Sequence, residues 1–427
     1  MVKIKGLVFS FLMMSMVNTA VFAQQDKQIA VDSLNKYIKP IASGVDSVRD
    51  YSAVIDLLKN KALVGLGEST HGTGSIFEGK SEIIKRLIKQ GDFKTVFMET
   101  GYCGLLNIDT LFRQSKQIDL LKGFKKSGLF GIYKTDEVYR MFEWIAAYNQ
   151  EHDLKDRVAI LGIDMQDAEG IADKLVQILP DGGKNDQKIH NGLITIKNGF
   201  TRTGAFGFSK AEQVILKEMV SGLTSLALKQ SDPEFTFITR LMEQSVIWLN
   251  SSAQLRSDIR DQYMAENVLW LKKNRRENGK AIVWAHNAHL ANSKRPYRLP
   301  MGSHLKKELK NDYYNLAFAF DEGWVRIFDP KSTKPGFQER LFASSENVNS
   351  IEYYFKDCKP KDFLLDLTEI ADNKFFKQFF RKNNRLRVIG SRFLGDGNFS
   401  FTPESILDGY DGFVFFNKAS AAKELRR

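Results

Sequence analysis

The chain has 427 residues, of which 43% are hydrophobic and 26% are charged, and its formal net charge is +11. This composition excludes a disordered or fibrous protein, and a chain of this length can bury one large core or two smaller ones. The basic residues are spread in mixed-sign runs, which are typical of solvated helix faces, and no recognised nucleic-acid-binding module accompanies them. We therefore expect a globular protein that does not bind nucleic acid.

The N-terminus has the pattern of a secretory signal peptide. Lys3 and Lys5 precede an apolar run, and small residues flank Phe22 before a polar stretch begins. The apolar run is shorter than the about 20 residues that a membrane-spanning helix needs, so a retained anchor is the weaker alternative. We expect cleavage after Ala23 and export of the mature protein, most simply to a bacterial periplasm, with no membrane attachment after processing.

Cys103 and Cys358 are the two cysteines of the chain. An exported protein can pair two cysteines, but no spacing rule predicts this pair, so we expect two unpaired thiols. Two cysteines are also too few for a zinc site built on sulfur.

Apolar runs typical of buried strands recur along the chain and alternate with helical patterns. The first runs are continuous in Val, Ile, Leu and Phe, as strands covered by helices on both faces should be. The runs lie at residues 62–67, 95–99, 158–164, 281–286, 314–320, 324–328, 363–367 and 412–416. Their order predicts an α/β fold with a largely parallel central sheet.

Two long helical stretches interrupt the strands, at about residues 104–150 and 165–279. Both are too long to be simple crossover connections between neighbouring strands. We predict that residues 24–427 form a single α/β domain. The insertions are then a helical cap subdomain that covers one edge of the sheet and roofs a cleft.

Ionisable side chains stand at the ends of four predicted strands. They are Glu68 and His71 after the first strand, Glu99 at the end of the second, Asp164 at the end of the third, and His286 and His289 after the fourth. Ligands bind beyond the carboxyl ends of strands in open α/β sheets, so we predict one site here. Glu68 or Glu99 would hold one imidazole nitrogen of His71 and leave the other free as a base. His286 or His289, if protonated, would stabilise an oxyanion or protonate the leaving group.

Residues 74–81 read GSIFEGKS and match the phosphate-loop pattern G-x-x-x-x-G-K-[ST]. In a phosphate loop the strand passes directly into the first glycine, and backbone amides hold the phosphates. Here six residues separate Gly67 from Gly74, and Glu78 would repel a phosphate. We therefore expect no nucleotide site.

Several blocks of the chain resemble the erythromycin esterases. The matching blocks, in family order, are GLGESTHGTGSIFEGKSEII, VFMET, RDQYMAENVLWL, AIVWAHNAHLA, MGSHL and YDGFVFFNK, and they cover nearly the whole mature chain. The resemblance implies that water hydrolyses the lactone ester of 14-membered macrolide antibiotics, which gives macrolide resistance. It also implies a histidine general base, no covalent enzyme intermediate and no metal or other cofactor.

The resemblance carries over to individual positions. It implies a catalytic role for Glu68, His71, Glu99, His286 and His289, and it includes Arg260 and Glu266 in a further block. Lys80 stands where the family has an arginine, and we assign it to substrate binding. A lysine keeps the charge but loses the two-pronged hydrogen bonding of a guanidinium, so the substrate range can differ. His304 in MGSHL either lines the cleft or caps the helix that follows.

Two alternatives remain open at this point. The same imidazoles and carboxylates could ligate zinc or another divalent ion that activates water. The cleft could instead bind an apolar ligand without turnover, because fold does not determine function. A nucleophile elbow, G-x-S-x-G, does not occur in the chain, and Ser69 is too close in sequence to His71 to predict a nucleophile–base pair.

Overall fold

A computed structural model describes residues 24–41, 49–113, 120–203, 207–275, 279–293, 298–333, 336–393, 395 and 400–425. The predicted signal peptide, residues 1–23, lies outside these ranges. Within them, no helix combines the length and the apolar character needed to cross a membrane.

A mixed sheet forms the centre of the fold, and nine strands of the described chain take part in it. These strands are β1 (Ile38–Pro40), β2 (Leu63–Leu66), β3 (Phe93–Gly101), β4 (Ala159–Asp164), β5 (Lys280–Trp284), β6 (Tyr313–Asp329), β7 (Gly336–Ala343), β8 (Phe363–Asp366) and β11 (Gly412–Ala419). A separate antiparallel pair consists of β9 (Arg385–Arg387) and β10 (Phe401–Pro403).

The strand order across the sheet is β1-β8-β11-β6-β2-β5-β3-β4, and β7 pairs with β6. Neighbours from β11 to β4 pair in parallel. The pairs β1–β8, β8–β11 and β6–β7 are antiparallel. The predicted α/β fold with a largely parallel sheet is therefore confirmed.

Helices connect the strands and fill both predicted helical stretches. They are α1 (24–34), α2 (Ser52–Leu58), α3 (Gly74–Gly91), α4 (Tyr102–Arg113), α5 (Leu120–Lys126), α6 (Asp136–Gln150), α7 (Ala168–Ile178), α8 (Gln187–Thr203), α9 (Lys210–Gln230), α10 (Pro233–Leu249), α11 (Ala253–Arg275), α12 (Asn287–Leu290), α13 (Met301–Leu309), α14 (Ile351–Phe355), α15 (Lys374–Lys382) and α16 (Ile406–Gly409).

The two faces of the sheet are packed by different helices. Successive strand residues point to opposite faces, so Val64 and Met98 pack against α3 and α6 while Leu63 and Phe97 pack against α7–α11. Each such side chain gains about 1.5–3 kcal/mol from burial. Because both faces are covered, the strands read as continuous apolar runs, and helix α11 is held with one end near the carboxyl edge of the sheet.

Strand β6 differs from the sequence prediction. Two strands are expected, at 314–320 and 324–328, but β6 runs without a break from Tyr313 to Asp329. Its last part extends past the end of β2 and forms a hairpin with β7. Gly323 lies between the two predicted runs, and a Cβ there would lie 2.3 Å from the carbonyl oxygen of Ala419. This glycine serves the close packing of β11 on β6 and does not mark a turn.

Candidate active site

The loop after β2 brings Glu68 and His71 into direct contact. Glu68 Oε1 lies 2.8 Å from His71 Nδ1. Glu68 is fully buried, whereas the His71 side chain keeps 10% of its exposure. Since a carboxylate can only accept a hydrogen bond, Nδ1 carries the proton and Nε2 presents its lone pair. The sequence left Glu68 and Glu99 open as partners of His71, and the structure places Glu68 there.

Three further donors hold the Glu68 carboxylate. Lys80 Nζ lies 2.6 Å and Trp284 Nε1 lies 2.8 Å from Oε2, and the hydroxyl of Tyr133 lies 3.3 Å from Oε1. Burial raises the pKa of Glu68, but the charge of Lys80 and the hydrogen bond from His71 outweigh it, so the pKa lies below its ordinary value. Glu68 is therefore an ionised and fixed acceptor at neutral pH.

Lys80 reaches Glu68 from α3, the helix that contains the phosphate-loop pattern. Residues 74–81 form its first two turns, and both glycines of the pattern are needed for packing. A Cβ on Gly74 would lie 2.7 Å from the Ala421 carbonyl oxygen, and one on Gly79 would lie 2.8 Å from the Tyr51 hydroxyl.

The Lys80 ammonium has no exposed surface. Its Nζ lies 4.1 Å from the centre of the Trp284 ring and also donates to the Glu68 carboxylate. Burial lowers the pKa of Lys80 to about 8, although the charge of Glu68 opposes this. The predicted substrate contact is therefore corrected: Lys80 is buried behind the catalytic loop and holds the Glu68 carboxylate.

His286 follows β5 and caps the short helix α12. Its Nε2 donates to the Ile389 carbonyl oxygen at 3.1 Å, and its Nδ1 accepts the Ala288 N–H at 3.1 Å. The centre of its ring lies 4.8 Å from that of His71. The two histidine segments predicted from the sequence therefore meet, and both ring nitrogens of His286 bind backbone groups.

His289, one turn further along α12, lies between two carboxylates. Its Nδ1 is 2.5 Å from Asp261 Oδ1, and its Nε2 is 3.0 Å from Glu99 Oε1. Arg260 Nη1 lies 2.9 Å from Nε2, and Arg298 also contacts the ring. Burial raises the pKa of Glu99, but the charges of His289 and Arg260 outweigh it, so the pKa lies well below its ordinary value.

Arg260 of α11 joins the ends of two strands. Its Nη2 lies 2.6 Å from Asp164 Oδ2 and 2.9 Å from Glu99 Oε1. Burial lowers the pKa of Arg260, but Asp164 and Glu99 outweigh it, and the pKa lies above its ordinary value. The residues that end β3 and β4 and follow β2 and β5 thus gather at one edge of the sheet.

Four residues of this cluster were not identified from the sequence: Tyr133, Asp261, Trp284 and Arg298. Trp284 lies two residues before His286 in the same apolar run, so the alternation of β5 could have indicated it. Asp261 directly follows Arg260 in a family block. Neither Tyr133 nor Arg298 belongs to any pattern, because they reach the site only through the tertiary fold.

Other predicted residues lie apart from this cluster. His304 is in the first turn of α13, whose N-cap is Pro300, so it does not cap the helix. Glu266 pairs with Arg240 of α10 on a half-buried surface. Cys103 and Cys358 are unpaired, and burial raises the pKa of each thiol to about 12.

The donors of the site do not fit a metal ion. Across the described ranges, no group of three or more His, Cys, Asp or Glu side chains is arranged to hold one. The carboxylates are paired with cations instead, Glu68 with Lys80 and both Glu99 and Asp164 with Arg260.

The family model described as erythromycin esterase matches residues 88–419, which is more than half of the chain. The chain belongs to the erythromycin esterase family. Membership assigns it to the hydrolases. The matched range includes Glu99, His286 and His289 and begins after Glu68 and His71, whose assignment therefore depends on the structure and on the resemblance of their motif.

Relatives of this esterase-family protein are distant but cover most of its length. Erythromycin esterase type II of Escherichia coli is 24% identical over 352 residues, which are 73% of this chain and 82% of the relative. The crystal structure of a Bacillus cereus protein is 22% identical to this chain and superposes with a TM-score of 0.75. The match covers 94% of this chain and 99% of the Bacillus cereus chain. The structure of a mutant of erythromycin esterase EreC in its open conformation is 18% identical to this chain and superposes with a TM-score of 0.60. The match covers 89% of this chain and 96% of the EreC chain. The two structures establish the fold.

Proposed function

We propose that this hydrolase opens the lactone ring of 14-membered macrolides of the erythromycin type with a water molecule that His71 activates, and so gives macrolide resistance. The observation that carries the proposal is the Glu68–His71 pair, in which a fixed carboxylate holds Nδ1 and leaves the lone pair of Nε2 available. General-base catalysis of this kind contributes about 10²–10⁴-fold to a rate.

In the proposed reaction, His71 Nε2 takes a proton from water as the water oxygen adds to the ester carbonyl carbon. Negative charge then develops on the carbonyl oxygen, and Arg260, which lies beside Glu99 and His289, is the cationic group that can stabilise it. His286 fixes the position of its loop through its backbone contacts. The role of Lys80 is to keep Glu68 ionised and in place.

Direct attack by water is favoured over a covalent intermediate. The Ser69 side chain is fully buried, which keeps its hydroxyl from reaching a bound ester. The two thiols are protonated at neutral pH, and a thiol is a poor nucleophile compared with a thiolate.

The macrolide substrate is proposed from the family and from the name of the Escherichia coli relative. We also propose that the protein is exported after cleavage behind Ala23, which N-terminal sequencing of the mature protein from a periplasmic extract would test. A mature N-terminus at Met1 would contradict cleavage behind Ala23, and absence of the protein from the periplasmic extract would contradict export.

The direct test is incubation of the purified protein with erythromycin, followed by mass spectrometry. We expect a product heavier by one water, and we expect it also after treatment with a chelator. The matched control is the His71→Ala variant, which should leave the macrolide unchanged. Unchanged mass with retained binding would show a binding protein without turnover, and loss of activity on chelation would favour a metal-dependent hydrolase.

The substrate range needs a second experiment. A panel of 14-membered and 16-membered macrolides and simple lactones, scored by mass, would show which esters are opened. Turnover confined to small lactones would contradict the macrolide assignment while leaving the ester hydrolysis in place.

A further inference from the structure

Arg387 ends a basic run of the chain, RKNNRLR, but it does not lie on a solvated face. Its side chain has no exposed surface. The guanidinium donates to the carbonyl oxygens of Phe320 and Asp321 on β6, at 3.3 Å each. It also lies between two aromatic rings, 4.4 Å from the centre of the Phe320 ring and 5.1 Å from that of Phe401. A buried charge requires such compensating contacts, so these contacts hold Arg387 in one position.

The residues after Arg387 contact both histidine loops of the site, the one after β2 and the one after β5. Ile389 N–H donates to the carbonyl oxygen of Ser69, the residue that follows Glu68, at 2.9 Å. The carbonyl oxygen of Ile389 accepts the Nε2–H of His286 at 3.1 Å. The backbone of one residue therefore binds to both loops.

A second link joins the two loops through backbone atoms alone. Asn287 N–H donates to the carbonyl oxygen of Glu68 at 2.9 Å. The Ile389 carbonyl oxygen instead binds the imidazole of His286, whose centre lies 4.8 Å from that of His71. The position of Ile389 therefore influences how the two imidazoles face each other.

The contacts of Arg387 fix the start of this segment, two residues before Ile389. Arg387 N–H donates to Glu352 Oε1 at 2.8 Å, while the guanidinium is bound to β6. Val388 N–H donates to the Ser400 carbonyl oxygen at 2.8 Å. Because β6 also pairs with β2, the same strand supports both the histidine loop after β2 and the segment that binds to it.

We propose that Arg387 is a positioning residue of the active site. It fixes Ile389 relative to β6, and Ile389 in turn holds the loop after β2 and the ring of His286. The kinetic part of this inference rests on the proposed ester hydrolysis. A displacement of about 1 Å at a catalytic group can cost about 10²-fold in rate. A fully buried arginine that contacts no substrate can therefore affect kcat while KM stays the same.

The kinetic test compares Arg387→Met with the wild type in lactone hydrolysis. This substitution removes the guanidinium and keeps an unbranched apolar side chain between the two rings. We expect kcat to fall about 10–100-fold and KM to change less than about twofold. A kcat that stays within about twofold of the wild type would overturn the proposal.

The matched control is Arg157→Met. Arg157 is also buried, and its Nε donates to the His152 carbonyl oxygen at 2.9 Å. It lies at the amino end of β4, whereas the site lies at the carboxyl ends of the strands. Both substitutions should lower Tm, but kcat of Arg157→Met should stay within about twofold of the wild type. Equal losses of kcat in the two variants would show a general effect of stability and would overturn the proposal.

A double variant separates the charge of Arg387 from its contacts. Burial raises the pKa of Glu352, and the charge of Arg387 opposes this rise, so Arg387→Met leaves a buried carboxyl without that cation. In Arg387→Met/Glu352→Gln both charges are absent, and the glutamine oxygen can still accept the N–H of residue 387. We expect the same loss of kcat as in the single variant. Recovery to within about twofold of the wild type would show that charge balance explains the loss, and positioning by the guanidinium would be refuted.

Hydrogen exchange tests the positioning without a substrate. In the wild type we expect the Ile389 N–H to exchange at least about 10³-fold more slowly than an unprotected amide, and in Arg387→Met the amides of Ile389 and Asn287 should exchange at least about tenfold faster than in the wild type. If the wild type opens no lactone but these rates hold, the proposed function fails and the positioning by Arg387 stands. If the wild-type Ile389 N–H exchanges like an unprotected amide, the positioning fails whatever the substrate is, and this result does not require that the variant folds.

Discussion

The substitution Glu68→Gln tests how the carboxylate sets the state of His71. All four neighbours of Glu68 are donors: Lys80 and Trp284 at Oε2, His71 and Tyr133 at Oε1. In a glutamine at this position, the NH₂ group replaces either Oε1 or Oε2 and faces the two donors at that oxygen. Lys80 and Trp284 cannot accept a hydrogen bond, so the NH₂ must replace Oε1 and donate to His71 Nδ1.

This reversal moves the His71 proton from Nδ1 to Nε2 and removes the lone pair that activates water. In a serine protease, the corresponding substitution of a carboxylate by an amide held the catalytic histidine in the wrong tautomer and lowered kcat by about 10⁴-fold. We expect kcat to fall by about 10³–10⁴-fold here. Removing the negative charge also leaves Lys80 buried without its partner, which we expect to lower the free energy of unfolding by about 2–4 kcal/mol. For a chain of this size that corresponds to about 2–5 °C in Tm.

The assay is the rate of macrolide ring opening at pH 7, together with thermal unfolding. The matched control is Glu78→Gln on the same helix as Lys80, where the carboxylate is 47% exposed and pairs with Arg140 at the surface. A surface pair contributes about 0–1 kcal/mol, so this variant should behave like the wild type. A Glu68→Gln variant that retains more than a tenth of the activity would refute the reasoning.

Three further predictions concern Lys80 and the C-terminal tail. Because burial lowers the pKa of Lys80 to about 8, Glu68 loses its cation above that pH, and we expect the activity to fall as the pH rises further. Lys80→Arg should extend the active range to higher pH. A wild-type activity that stays constant up to about pH 10 would contradict this prediction. For this group alone the free energy of unfolding should rise between pH 8 and the ordinary pKa of 10.5, since the folded protein loses the proton first. Removing residues 420–427 deletes two backbone hydrogen bonds that hold the His71 loop. We expect a loss of about 2–3 kcal/mol in stability and a lower kcat, measured against a control that lacks only residues 426 and 427, and unchanged kinetics would contradict the role of the tail.

The sequence predicted the edge of the sheet well because local patterns determine it. Glu68, Glu99, Asp164 and His286 each end or follow a continuous apolar run, and parallel strands place their carboxyl ends together. The six residues between Gly67 and Gly74 likewise led us to expect no nucleotide site at residues 74–81, and these residues form the start of α3.

What the sequence could not predict depends on distances between elements that are far apart in the chain. The partner of His71 was left open because Glu68 and Glu99 both end strands, and only side-chain geometry distinguishes them. Asp261 reaches His289 because α11 packs on one face of the sheet at a particular height, and Arg298 reaches it from the residues just before α13. No local pattern encodes either contact. Lys80 was assigned to the substrate because its burial depends on the packing of α3 against β2 and β5.

The central claim is that His71, held by Glu68, activates the attacking water, and the His71→Ala variant tests it most directly. We expect its rate of macrolide ring opening to fall at least about 10³-fold, with part of the rate restored by added imidazole and Tm within a few degrees of the wild type, because Glu68 keeps Lys80, Trp284 and Tyr133. Activity that remains above a few per cent of the wild type in the folded variant would contradict the account.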